Sequence, residues 1–160
     1  MRKIGYLLLL FLLIQACQSN VVYNKYRSFP NDNWKQEDVL TFEIPMQDSI
    51  SKYNLFINIR NTKEYPYSNL FLITQMTFPD KTAVIDTLEY EMTDSNGNFL
   101  GSGFSDIKEN KLFYKEKVQF KKPGTYLFHI KQAMRKRNEI NGIDPLKGIS
   151  DVGISIEKIK

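Results

Sequence analysis

One cysteine, one histidine and one tryptophan occur in 160 residues, and each scarcity narrows what the chain can do. A single cysteine, Cys17, rules out any disulfide within the chain. A single histidine, His129, leaves almost no raw material for a Ser-His-Asp triad, a Cys/His pair or a histidine-rich zinc site. Alanines are few while aromatic residues reach 13%, a balance that favours strands over helices. Neither sign of charge dominates, with 22 Lys+Arg against 18 Asp+Glu, so nucleic acid is not indicated as a partner. Long apolar runs are missing as well, with one exception.

That exception opens the chain. Arg2 and Lys3 precede an apolar run over residues 4–14, followed by Gln15, Ala16 and Cys17. As helix, the run would span roughly 17 Å at ~1.5 Å per residue, well short of a ~30 Å hydrocarbon core. The layout is that of a cleaved signal peptide. Leu13-Ile14-Gln15-Ala16-Cys17 resembles a bacterial lipobox, which implies a diacylglycerol thioether on the Cys17 sulfur, cleavage after Ala16 and acylation of the new amine. Lipidation also accounts for a lone thiol in an exported protein. Two or three acyl chains, at ~0.8 kcal/mol per buried CH₂, anchor stably where one would not. Apart from this covalent lipid, no cofactor and no metal is expected.

Beyond the leader the sequence alternates. Leu40, Phe42 and Ile44 share one strand face, and Tyr53, Leu55, Ile57 and Ile59 share another. Further strands are expected over residues 70–78, 83–92, 112–120, 125–131 and 152–159. Asn96-Gly97 and Lys122-Pro123-Gly124 supply tight turns between them. The expected fold is all-β: a single antiparallel β-sandwich, Ig-like or jelly-roll-like, with Tyr126 in a segment resembling the corner tyrosine of Ig-like domains. The expected organisation is a signal peptide over residues 1–16, a lipidated N-terminus and tether over 17–33, and the sandwich over 34–160. Residues 132–141 lack alternation, and one short helix is expected there.

Candidate chemistry is sparse. Asp94, Asn96 and Asn98 have the alternate spacing of a calcium loop, but Phe99 and Ser105 stand where such a loop needs Gly and Glu; a hairpin turn is the expectation. Strand parity sets His129 opposite the Tyr126 face, towards solvent, and Trp34 is expected in the core. Two stretches are candidate partner surfaces. One is Arg60, Tyr65 and Tyr67, planar side chains around Pro66 of the kind that anchor interfaces; Tyr65 and Tyr67 read equally as caps on the end of the sandwich core. The other is the basic run over residues 108–137, with Lys108, Lys111, Lys115, Lys117, Lys121, Lys122, Lys131, Arg135, Lys136 and Arg137 against Glu109 and Glu116. It reads either as a solvated face or as a contact for anionic headgroups or an acidic partner.

Several pieces in succession resemble the GldH family of gliding-motility lipoproteins from Bacteroidota. They are the lipobox ending at Cys17, Trp34, Ile59-Arg60-Asn61, Tyr65-Pro66-Tyr67-Ser68-Asn69-Leu70, Asp86-Thr87-Leu88-Glu89-Tyr90, Leu100-Gly101-Ser102-Gly103, Gln132-Ala133-Met134-Arg135 and Gly148-Ile149-Ser150-Asp151-Val152-Gly153. The resemblance implies a non-catalytic accessory or adaptor subunit of the envelope machinery for gliding and its associated protein secretion. It also implies a membrane anchor, other envelope motility or secretion proteins as partners, and no small-molecule substrate. Gln18-Ser19-Asn20 carries no acidic cluster after the cysteine, which by analogy points to the outer membrane, facing the periplasm. The alternative is an envelope lipoprotein that binds a glycan or lipid.

Overall fold

The computed structural model describes residues 20–103 and 106–160. The signal peptide and Cys17 lie outside the described residues. The described residues form ten strands: β1 Val21–Ser28, β2 Asn33–Trp34, β3 Leu40–Met46, β4 Tyr53–Thr62, β5 Asn69–Thr77, β6 Ala83–Glu91, β7 Ile107–Val118, β8 Gly124–Gln132, β9 Leu146–Lys147 and β10 Ile149–Lys158. A 3-10 turn spans Pro30–Asp32. Two antiparallel four-stranded sheets, ordered β1-β10-β4-β7 and β3-β8-β5-β6, pack face to face, and β2 pairs with β9 at one end.

The period-two pattern fixes which face is buried. Leu55, Ile57 and Ile59 of β4 lie opposite Ile156, Ile154 and Val152 of β10, and all six are essentially inaccessible. From the other sheet Phe42, Ile44, Leu70, Leu72, Tyr126, Phe128 and Ile130 close over them. Pro45 lies in β3, an edge strand, where its missing N–H costs no ladder bond. The Tyr126 hydroxyl donates to the Lys122 carbonyl at 2.9 Å, which is the tyrosine-corner bond that residues 124–130 resemble.

The two sheets are bridged at the β6/β7 side by polar side chains. The Tyr114 hydroxyl donates to Asp86 at 2.7 Å, and the Tyr90 hydroxyl to the Phe113 carbonyl at 2.8 Å. Lys115 pairs with the same Asp86 at 2.8 Å. Burial works against the Asp86 charge, but the hydrogen bonds from Lys115 and Tyr114 outweigh it and hold the carboxyl below its ordinary range.

Two expectations need correction. Residues 21–28, assigned to the tether, form β1, an edge strand running antiparallel to β10 from Val21↔Glu157 to Ser28↔Asp151; Phe29 then stacks on Trp34 at 5.2 Å. The folded domain therefore begins at Val21, not at Trp34. Nor do residues 132–141 form a helix. Gln132 is buried, and its side chain accepts from the Met134 N–H and donates to the Ile143 carbonyl, while Asn138 takes a left-handed φ of 66°. Those bonds fold the segment into a hairpin-like loop with Arg135 bridged to Gly142.

Candidate interaction surface

Arg60, Tyr65 and Tyr67 do not form one exposed surface. Tyr65 is 3% exposed, and its hydroxyl donates to the Asn69 carbonyl at 2.6 Å. Its backbone sits against Gly148, where a Cβ would stand 2.3 Å from the Tyr65 nitrogen. The φ of +80° at Gly148 adds a second reason for glycine there. Burial pushes the Tyr65 phenol far above its ordinary value. Tyr67 is half-buried, edge-on to Tyr65 at 5.7 Å. These residues close the core at one end of the sandwich, so the reading of Tyr65 as a partner contact is overturned.

Arg60 belongs to a different group, on the outer face of the β1-β10-β4-β7 sheet. Its guanidinium lies 4.3 Å from the Tyr26 ring centroid and its Nε 3.4 Å from Glu109. The Tyr26 hydroxyl donates to the other Glu109 oxygen at 2.6 Å. Burial, then the bond to Glu109, pushes the Tyr26 phenol up to about 12. Both oxygens of Glu109 and the face of Tyr26 are engaged, so Arg60 works as a clasp across three strands.

The basic run is dispersed rather than gathered. Lys115 is at the β6/β7 seam with Asp86, and Lys111 pairs with Glu157. Lys117, Lys121 and Lys122 lie where β7 turns into β8, and Lys122 pairs with Asp80. Lys131 is on the outer face of β8, opposite Ile73. Arg135, Lys136 and Arg137 follow at the far end of that strand, Lys136 being 3.9 Å from Glu139. A nine-residue strand such as β8 spans roughly 30 Å at ~3.3 Å per residue. One run of sequence thus supplies cations to opposite ends of the sandwich.

The end carrying Arg135, Lys136 and Arg137 has the features of a contact surface. Ile140, at the loop tip, is 96% exposed. The loop is held in place: the Phe71 N–H donates to the Met134 sulfur, Ile143 N–H to the Met134 carbonyl, and Gln36 N–H to Asp144. Between it and the sheet lies an open groove of about 860 Å³ lined by Phe71, Thr87, Ala133, Arg135, Arg137 and Ile140 among others. Below it the outer sheet face continues with Ile73, Gln75, His129 and Lys131, flanked by Val39 at 52% exposure. His129 faces outward as strand parity requires, its Nδ1 2.9 Å from the Thr41 hydroxyl. Sequence reading passed over Ile140 and Phe71; the signal was an aliphatic residue isolated in the polar stretch Arg135-Lys136-Arg137-Asn138-Glu139-Ile140-Asn141.

Asp94 closes a hairpin turn, its carboxylate accepting from the Asn96 and Asn98 N–H groups, with Gly97 at φ +82°. No cluster of three or more His, Cys, Asp or Glu placed to hold a metal occurs among the described residues.

The family description that fits this chain is GldH lipoprotein, matched over residues 21–156. The chain belongs to the GldH lipoprotein family. It is 49% identical over 147 residues to the gliding motility lipoprotein GldH homolog of Christiangramia forsetii, covering 92% of this chain and 90% of that one. It is 46% identical over 154 residues to the gliding motility lipoprotein GldH of Flavobacterium johnsoniae, covering 96% and 95%. The family is one of lipoproteins, not a known enzyme family. Among solved structures, a protein of infectious bursal disease virus (Gx strain) aligns with a TM-score of 0.41 at 12% identity, over 90% of this chain and 33% of that one, too distant a likeness to bear on function.

Proposed function

We propose that this chain is a non-catalytic adaptor of an envelope gliding-motility machinery and its associated secretion system, anchored to the outer membrane by lipid on Cys17 and facing the periplasm. Family membership supports the motility role, and the lone cysteine behind a short apolar leader supports the anchor. The observation that carries the adaptor reading is the far loop, where Arg135 and Arg137, without an ion-paired carboxylate among the described residues, flank a fully presented Ile140. Arginine beside apolar side chains is the usual composition of interface anchors. The occupant that fits is a protein surface with apolar and acidic side chains.

A glycan- or lipid-binding role has less support. The aromatic-lined space between the sheets, bordered by Phe78, Tyr114, Phe120 and Tyr126, is only about 70 Å³, against the ~300–1,000 Å³ of ordinary ligand pockets, and the larger groove at the far loop is open and has Phe71 as the one aromatic in its lining.

The test is complementation of a deletion strain with wild type, Cys17→Ala, and Arg135→Glu/Arg137→Glu/Ile140→Asp. Wild type should restore gliding or secretion, Cys17→Ala should lose acyl mass and fail, and the triple variant should remain lipidated and abundant yet fail. Full rescue by the triple variant would refute the adaptor surface. Acyl lipid on the Cys17→Ala protein would refute the anchor.

A further inference from the structure

The end of the sandwich opposite the Arg135–Ile140 loop is where the chain enters, and it is stitched into one unit. The Lys158 N–H donates to the Asn20 carbonyl and the Ile159 N–H to the Lys52 carbonyl. The Lys158 ammonium pairs with Asp48 at 3.0 Å. The Gln119 side chain donates to the Ser49 carbonyl at 2.8 Å, and Lys122 pairs with Asp80. These bonds tie the 47–52, 78–82 and 119–123 loops to one another and to Asn20.

Both of the aspartates in those loops are thereby neutralised. Lys52, Lys81, Lys117, Lys121 and Lys160 are exposed at the same end, and among the described residues their ammonium groups have no hydrogen-bonded or ion-paired carboxylate. Ile50 projects among them, 84% exposed. Against these cations stands Glu116 of β7, also exposed and, among the described residues, without an ion-paired lysine.

We propose that this basic end is a docking surface for anionic lipid headgroups, so that the domain stands upright on its anchor and presents the Arg135–Ile140 loop away from the bilayer. The inference rests on the Cys17 anchor. Only Gln18 and Ser19 separate Cys17 from Asn20, which limits the gap to about 11 Å of extended chain. That is close to the ~10 Å Debye length at 0.1 M salt, the range over which basic groups are attracted to an anionic surface. Ile50 supplies an apolar contact at the headgroup boundary. The far loop, a whole strand length away, lies beyond that range.

The experiment uses the purified lipidated protein in vesicles of phosphatidylcholine alone or with phosphatidylglycerol, and reads lysine acetylation rates by mass spectrometry. Phosphatidylglycerol should slow Lys52, Lys81, Lys117 and Lys121 severalfold at low salt, high salt should relieve this, and Lys136 and Lys63, the latter in the β4/β5 loop at the far end, should be unaffected. Uniform rates in both vesicles would overturn the proposal, as would slowing of Lys136 in place of the four. Slowing that appears only when solubilised envelope proteins are added would assign the surface to an acidic protein, which also overturns it. Intact mass of the same sample reads the anchor separately. Cys17→Ala protein, added at high vesicle concentration, should show the same four lysines slowed at lower occupancy, so loss of the anchor and loss of the surface are distinguishable.

Discussion

The ring of Tyr26 lies directly over Gly153, the residue it faces across the β1/β10 ladder. A Cβ at 153 would stand 2.8 Å from the Tyr26 Cδ1 and 2.6 Å from the Lys25 carbonyl oxygen. Glycine here makes room for the ring, which in turn carries the Arg60 guanidinium and the bond to Glu109. Gly153→Ala should therefore destabilise the fold by about 1–3 kcal/mol through overpacking. Adding Tyr26→Ala should recover only part of that, because the carbonyl clash persists. Denaturant unfolding of the two single variants and the double variant reads the coupling; purely additive losses would place the ring elsewhere.

Tyr65 separates core from surface. Tyr65→Ala should cost about 3–5 kcal/mol, as large aromatic truncations in cores do, and Tyr65→Phe about 1 kcal/mol for the bond to the Asn69 carbonyl. Arg135→Ala and Arg137→Ala, on an exposed loop, should stay within about 0.5 kcal/mol of wild type. Thermal melts of the four variants check this; a Tyr65→Ala protein as stable as wild type would return that residue to the surface.

Much of the fold was legible because burial follows period two. Tyr53, Leu55, Ile57 and Ile59 alternate in sequence and are buried as a set, and the Asn96-Gly97 turn marks itself by residue type. β1 was not legible: Tyr23 and Tyr26 are spaced by three, and the strand runs along a sheet edge with most side chains in solvent, so it lacks the alternation of a half-buried strand. The loop over residues 132–141 was misread because its conformation is set by the buried Gln132 side chain, a tertiary contact with no local signature. The choice between partner contact and core cap for Tyr65 and Tyr67 was open in sequence for a related reason. Tyr65 and Tyr67 have the composition of an interface, but Gly148, far along the chain, is what lets Tyr65 sink into the core.

Alkaline pH should weaken the domain at two identified tyrosines. Burial and the bond to Glu109 push Tyr26 up to about 12, and burial with the nearby Asp86 charge does the same to Tyr90, from an ordinary value of 10.0. A phenol whose pKa is raised by folding contributes stability that is complete below the unfolded value and lost as pH rises through the folded one. The loss these two phenols contribute should therefore fall between pH 10.0 and about 12, and Tyr26→Phe/Tyr90→Phe should make the decline shallower, the remainder coming from other phenols that folding raises, such as Tyr65 and Tyr114. Denaturant midpoints over that interval, with tyrosinate absorbance alongside, make the comparison; an equally steep decline in the double variant would mean other groups control it.

The proposed recruitment of envelope proteins by an anchored β-sandwich runs through its far loop. Its most direct test is quantitative co-purification from detergent-solubilised envelopes of lipidated wild type and lipidated Arg135→Glu/Arg137→Glu/Ile140→Asp at equal abundance. A defined set of motility or secretion proteins should accompany wild type and be depleted with the triple variant, while both proteins melt alike. Recovery of the same proteins in the same amounts with the triple variant would contradict the claim.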